Sequence, residues 1–267
     1  MDRKNIIDEK FTYEILGCAF DAFKTIGIGF DEFRYHKIFH KILVQRGFNA
    51  QYKVPFHLDY KDEKIADFEV DEIIEKKLIV EVKCIQTDFL PENYAQILTY
   101  LKATRIRIGF LINFGLHKAI PERIIFDEIR ITNIESWDVG FFNTFSQNSL
   151  FDSKILSIKD IDSILGVAYH NKIYQAAFAI ELRNKQIKFD RNVQLDINIQ
   201  NIQFSPNEID YWLIEKSLLI GILAGKHKPR TYDFLRMRTY LKYLNLHHGL
   251  IAFWSNENLQ LYGIYER

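Results

Sequence analysis

Asp71 and the run Glu81-Val82-Lys83 are the residues of this sequence whose types and spacing could do chemistry. Side chains alternate along an extended strand, so Glu81 and Lys83 share one face. Leu78, Val80 and Val82 take the other, toward a core. If Glu75, Lys76 and Lys77 form a hairpin turn, Ile74 pairs with Leu78 and Asp71 lies across from Glu81. Two carboxylates facing each other across a sheet repel, and a divalent cation is the natural counter-charge. Carboxylate oxygens with retained water suit Mg2+ or Mn2+. Such an ion polarises a phosphoryl oxygen and lowers the pKa of bound water. The Lys83 ammonium beside it could position or help deprotonate that water, or stabilise charge on the phosphoryl oxygen. The chemistry these residues could do together is hydrolysis of a phosphodiester. The plainer alternative is a charged hairpin face closed by a salt bridge.

Other polar candidates carry less. His36 and His40 stand one turn apart on a predicted helix but have no third ligand in the sequence. His247 and His248 read as surface residues at a strand entrance. Cys18 and Cys84 are too few for a disulfide framework, no Cys/His zinc pattern is present, and Cys84 reads as a small buried residue.

Helices and strands must position these groups. Phe11, Ile15, Ala19, Phe23 and Ile26 recur at helical spacing from Asp8 to about Ile26. Gly27 and Gly29 break that helix, and a second is predicted from about Asp31 to Gln45. Strands are predicted over Tyr52–Tyr60, Ile65–Ile74 and Leu78–Cys84, a helix over Glu92–Ala103, and a buried strand over Arg107–Asn113. This order predicts an α/β domain over residues 1–126. Residues 127–157 read as a connector, part of which packs because it is rich in aromatics.

The rest of the chain repeats the first half. At an offset of 140, Glu75-Lys76 falls on Glu215-Lys216, the helix run Ile97–Lys102 falls on Met237–Lys242, and Gly109 falls on Gly249. Upstream the offset is 139, which sets Tyr35 on Tyr174 and Val54 on Val193. One single-residue change of register across the whole comparison marks a tandem duplication, with a second domain over 158–267.

Asp71, followed ten positions later by Glu81-Val82-Lys83, resembles the D…ExK signature of the PD-(D/E)XK nuclease superfamily. The segment Gly29-Phe30-Asp31-Glu32-Phe33-Arg34-Tyr35 resembles the name-giving motif of its GxxExxY family. Tyr94–Lys102 resembles the family's glutamine helix, with Gln96 and Tyr100 one turn apart, and Gly109–Phe114 its closing strand. One departure is that Val70, not proline, precedes Asp71. The resemblance covers residues 8 to about 125. It implies a restriction-endonuclease-like mixed central sheet flanked by helices, duplicated in tandem. It also implies metal ligation by Asp71, Glu81 and the Val82 carbonyl, with Lys83 as the catalytic lysine. Glu32 would assist the metal or water, Gln96 would orient Lys83 or contact nucleic acid, and Tyr35 and Tyr100 would support the site. No organic cofactor is implied.

The second copy departs from this pattern. Asp71 becomes Tyr211, Glu81 becomes Gly221, Lys83 becomes Leu223, Gln96 becomes Arg236 and Glu32 becomes Asn171. That half is expected to be catalytically silent. It carries instead Lys226, His227, Lys228, Arg230, Arg236, Arg238 and Lys242, interleaved with Tyr232, Phe234 and Tyr240. Basic side chains among aromatics hold nucleic-acid strands without reading sequence. The expectation is that Lys228, Arg230, Arg236 and Arg238 grip substrate; a solvated surface is the alternative.

Lys and Arg number 35 against 35 Asp and Glu, which argues against a simple basic glove for nucleic acid. It does not argue against a nuclease that also holds acidic ligands. No run approaches the length of a membrane helix, and MDRKNIIDEKF lacks a signal-peptide pattern, so a soluble cytoplasmic protein is expected. The reading is a Mg2+- or Mn2+-dependent nuclease acting on DNA ahead of RNA. Its second half would give stability, substrate contacts or contacts in a homodimer. The rivals are a non-cleaving nucleic-acid-binding protein and a scaffold built on the same fold.

Overall fold

The computed structural model describes residues 9–126, 134–137, 149–200, 202–225 and 228–266. The chain divides into two compact units. The first comprises Met1–Leu58 and Asp67–Glu128, the second Asp59–Ala66 and Ile129–Arg267.

In the first unit, α1 (Glu9–Ile26) buries Ile15, Cys18, Ala19 and Ala22 along one stripe. The turn after it needs the left-handed backbone of Gly27 (φ 80°) and Gly29 (φ 95°). Asp31 then caps α2 (Glu32–Gln45) by accepting the Arg34 amide. Five strands follow as one sheet in the order β1 (Ala50–Tyr60), β2 (Glu63–Ile74), β3 (Leu78–Lys83), β4 (Ile108–Asn113), β5 (Ile120–Ile125). β2 and β3 are antiparallel with Ile74 opposite Leu78, as the turn at Glu75–Lys77 requires. β3 and β4 are parallel, joined through α3 (Pro91–Thr104), and β5 returns antiparallel to β4. β5 is a strand that the sequence pattern does not announce.

The sheet has two buried faces. Ile74, Leu78, Val80 and Val82 pack with α1 and α2, as alternation from Lys83 predicts. Ile73, Ile79 and Leu111 pack under Ile97 and Leu101 of α3. Gly109 permits the close approach of α3, since a Cβ there would stand 2.6 Å from Ile97 Cδ1.

The second unit builds the same plan. α4 (Ser149–Leu165) and α5 (Asn171–Asn184) precede the short strands β7 (Phe189–Asp190), β8 (Val193–Leu195), β9 (Asn198–Ile199), β10 (Ile202–Gln203) and β11 (Asn207–Ile209). Then come β12 (Trp212–Ile214), β13 (Leu218–Ala224), α6 (Thr231–Tyr243), β14 (His248–Trp254) and β15 (Leu259–Tyr265). With β6 (Ile134–Trp137), the main sheet has the order β6-β15-β14-β13-β12-β7. The segment predicted as a connector thus contains a strand, and its end, from Ser149 on, belongs to α4.

The repeat is preserved in detail at several points. Glu75 and Lys76 take positive φ in one hairpin turn, and Glu215 and Lys216 do so in the other. Ile79 pairs with Gly109, and Leu219 with Gly249. The Tyr35 hydroxyl donates to Gly27 O and its ring stacks on Phe114 at 5.0 Å. The Tyr174 hydroxyl donates to Gly166 O and its ring stacks on Trp254 at 4.2 Å. A Cβ on Gly249 would meet Met237 Sδ at 2.8 Å, as one on Gly109 would meet Ile97. The chain carries two copies of one α/β fold in tandem.

Candidate active site

The chemistry-bearing residues of the first unit converge at the ends of β2 and β3. The regular ladder between those strands runs to Glu72 opposite Val80. Val70 and Ile73 pack in the same cluster, although unbroken alternation would put them on opposite faces. The alternation therefore breaks between Val70 and Glu72, at Asp71, and the expected pairing of Asp71 with Glu81 is not part of the ladder. One oxygen of the Asp71 carboxylate, Oδ2, accepts the Val82 amide at 2.9 Å. The other, Oδ1, accepts the Lys53 ammonium at 2.6 Å.

Glu81 and Lys83 share a face, as the alternation requires, and the Lys83 ammonium contacts Glu81 Oε1 at 2.5 Å. Asp71 and Glu81 are only 4% and 2% exposed. Glu81 Oε2 is buried and has no hydrogen-bond partner. Burial first, then the charge of Asp71, push the Glu81 carboxyl up to about 8 against the partial relief from Lys83. Two buried carboxylates with one oxygen unsatisfied fit a hard divalent cation, which takes oxygen ligands and favours their ionised form. Among the described residues no group of three or more His, Cys, Asp or Glu side chains is gathered for a metal. The acidic residues here offer two carboxylates, so main chain and water would have to complete the donor set of a bound ion. Val82 buries its side chain in the core, so only its carbonyl could take part.

Glu32 opens α2 and is half-buried. Its pKa is raised by burial, lowered by Lys83 and raised by Asp71, and it accepts a backbone hydrogen bond from Cys84. It therefore belongs to the same electrostatic cluster. The Cys84 thiol donates to Phe30 O at 3.0 Å, which ties the motif loop to the end of β3. Gln96 donates its amide to the Tyr100 hydroxyl at 2.8 Å. Tyr100 is pushed up to about 12 by burial and then by the charge of Glu81, and its ring stacks on Phe68 at 5.1 Å. Asn113 is 1% exposed and holds the chain beyond Lys83, donating to the Ile85 and Thr87 carbonyls and accepting the Ile85 amide.

Sequence reasoning missed two participants. The first is Lys53, which reads as an ordinary strand lysine. The second is Glu72, fully buried beside the histidine pair. His40 Nδ1 lies 2.8 Å from Glu72 Oε1 in a hydrogen bond, and His36 Nε2 lies 3.2 Å from the same oxygen. Burial lowers His36 to about 4, while burial and then Asp71 raise Glu72 to about 9. Burial thus favours the uncharged form of both groups, and His36 Nδ1 lies 3.8 Å from Asp71 Oδ1. His248 opens β14 and His247 is exposed just before it.

The equivalent corner of the second unit is filled. Tyr211, at the place of Asp71, lies against Gly221, at the place of Glu81; a Cβ on Gly221 would stand 2.8 Å from Tyr211 Cε1. Arg236, at the place of Gln96, donates to the Tyr211 hydroxyl at 3.3 Å and lies over the rings of Tyr211 and Tyr232. Asp233 pairs with Arg236 at 3.4 Å and with Arg230 at 3.6 Å. Arg236 is thus largely engaged within the fold. Lys228, Arg230 and Arg238 are exposed; Lys226 and His227 lie outside the described residues.

The profile of the PD-(D/E)XK nuclease superfamily matches this chain twice, over residues 9–124 and 149–261. The chain belongs to the PD-(D/E)XK nuclease superfamily. Each match spans one copy of the repeat, so the duplication seen in strand register is a duplication of this superfamily's domain. No curated protein matches. A solved structure titled "Crystal structure of SSO0001" is 16% identical, with 44% of this chain and 80% of that one covered, at a TM-score of 0.27. That likeness is too slight to bear on fold or activity. Among the described residues no helix is long and apolar enough to cross a membrane.

Proposed function

We propose that this protein is a divalent-metal-dependent nuclease of the GxxExxY group, that its first copy is active, and that its second has lost the chemistry. The observation that carries the reading is the buried Asp71–Glu81 pair with an unpartnered Glu81 oxygen and Lys83 in contact. Asp71, Glu81 and the Val82 carbonyl would hold Mg2+ or Mn2+. When bound, the ion polarises the scissile phosphate and lowers the pKa of water.

The chain's own groups do the rest. The contact between Glu81 and Lys83 keeps the ammonium at the site, beside where an attacking water or a phosphoryl oxygen would lie. Glu32, held by the Cys84 amide, offers a second carboxylate to orient water. Tyr100, with Gln96 on its hydroxyl, walls the site on the α3 side. Burial of both carboxylates strengthens every charge interaction made there. DNA is the preferred substrate, with RNA second. In the second copy, Lys228, Arg230 and Arg238 would contact nucleic acid outside the filled corner; stability and a homodimer contact are the other roles open to that copy.

The test is to incubate the protein and its Lys83→Ala variant with linear, circular and single-stranded DNA in Mn2+. Cleavage by the wild type and a loss of about 100-fold or more in the variant are expected. Cleavage of circles identifies endonuclease activity. Equal cutting by both proteins removes Lys83 from the mechanism.

A further inference from the structure

Lys53 lies within β1, yet its backbone takes φ 52°, the left-handed region that residues other than glycine seldom occupy. Such backbone conformations persist where surrounding contacts hold them, and they collect at functional sites. The Lys53 side chain reaches Asp71: its Nζ stands 2.6 Å from Oδ1 and 3.4 Å from a Glu69 carboxylate oxygen, with the side chain 34% exposed.

The four carboxylate oxygens of the site differ in what holds them. Asp71 Oδ2 is fixed by the Val82 amide, and Glu81 Oε1 by Lys83. Glu81 Oε2 has no hydrogen-bond partner. Asp71 Oδ1 is held by Lys53, a flexible chain that reaches in from a neighbouring strand. A divalent ion held by both carboxylates would find Glu81 Oε2 open and would meet the Lys53 ammonium at Asp71 Oδ1, where His36 Nδ1 stands farther off at 3.8 Å. The two cations would then compete for that oxygen. A displaced Lys53 keeps its charge and its three donors beside the site, where the next anion to arrive is a phosphate.

We propose that Lys53 is an exchangeable counter-cation: it neutralises Asp71 in the metal-free protein, yields it to the divalent ion, and then pairs with a backbone phosphate of the bound nucleic acid. This rests on the reading of Asp71 and Glu81 as the metal-binding pair. Lys53 lies outside the D…ExK motif, and nothing in that motif's spacing points to it.

The test is calorimetric titration of Mn2+ into the wild type and the Lys53→Met, Lys53→Arg and Glu81→Gln variants, each first shown to melt cooperatively. Lys53→Met is expected to bind Mn2+ about tenfold tighter, because it lacks the competing charge, while Lys53→Arg stays near the wild type. DNA binding is then measured in Ca2+ over a range of salt. There Lys53→Met is expected to bind more weakly, with a salt slope reduced by about one. Unchanged or weaker Mn2+ binding by Lys53→Met, with binding abolished in Glu81→Gln, overturns the exchange and leaves the metal pair standing. An unchanged salt slope overturns the transfer to phosphate. Mn2+ binding by Glu81→Gln equal to wild type overturns the metal pair itself.

Discussion

The Tyr211 ring lies against the backbone of Gly221, so close that a Cβ added there would come within 2.8 Å of Cε1. These two residues stand where Asp71 and Glu81 stand in the first copy. The absence of ligands in the second copy is therefore more than a deletion of charge. An aromatic ring has filled the space, and a glycine has made room for it.

Gly221→Ala is accordingly expected to destabilise the protein by about 1–3 kcal/mol, the usual cost of forcing volume into a packed core. Combining it with Tyr211→Leu should recover part of that stability. Thermal melts of the two single variants and the double give the coupling. Simple additivity would show that the ring and the glycine do not depend on each other.

The paired glycines under the helices offer a second comparison. A Cβ on Gly109 meets Ile97 Cδ1 at 2.6 Å, whereas one on Gly249 meets Met237 Sδ at 2.8 Å. Isoleucine is β-branched and stiff, while methionine bends around intruding atoms. Gly109→Ala should cost about 1–3 kcal/mol, and Gly249→Ala less. Denaturant titration of each variant checks the order, and the reverse order would contradict it.

The stability of the metal-free protein should fall as pH rises above neutrality. Burial and then Asp71 raise Glu81 from the ordinary 4.5 to about 8, and burial and then Asp71 raise Glu72 to about 9. Between 4.5 and those values the folded protein keeps protons that the unfolded chain has released, so each step up in pH favours unfolding. The contribution of these two groups is complete below 4.5 and is gone once pH has passed about 9. His36 acts in the opposite sense, but only between about 4 and its ordinary 6.5, so the carboxyls dominate above that range. Melting temperatures from about pH 6.5 to 9 should therefore decline, and Glu81→Gln should flatten part of the slope. Saturating Mn2+ should raise the midpoint more at the alkaline end of this window, because it binds the ionised carboxylate. A wild-type curve that rises across the window would refute the role given to these carboxyls.

Much of this was legible in the sequence because it rests on local rules. The 3.6-residue and two-residue periods located α1–α3 and β1–β4, and the Glu75–Lys77 turn set the β2–β3 register. Repetition of the same turn and glycine signals at a fixed offset exposed the duplication. What stayed hidden depends on long-range or backbone detail. Lys53 reads as a solvent-facing strand residue until its positive φ is known. Glu72 reads as a surface charge until α2 is packed over it. β5 carries Pro121, Glu122 and Arg123 in six residues, and no apolar alternation marks it as a strand. Gln96, expected to orient Lys83 or to contact nucleic acid, donates its amide to Tyr100, one turn away on its own helix.

The basic cluster of the second copy separates into residues that support the fold and residues that face solvent. Arg236 is bracketed by the Tyr211 ring, the Tyr232 ring and Asp233, so Arg236→Glu would bring a carboxylate to Asp233 and forfeit the stacking. Its main effect should be a lower melting temperature. Lys228 and Arg238 are exposed, and Tyr232 on the same helix as Arg238 is 61% exposed, as a surface for stacking on bases would be. The double variant Lys228→Glu, Arg238→Glu should melt like the wild type and bind DNA more weakly. Its salt dependence should fall by about two counter-ions, one for each phosphate that no longer meets a basic side chain. Filter binding from about 50 to 200 mM salt measures this. Unchanged affinity across that range would remove Lys228 and Arg238 from the nucleic-acid contacts, and stability or contacts between protein chains would then be the roles favoured for the second copy.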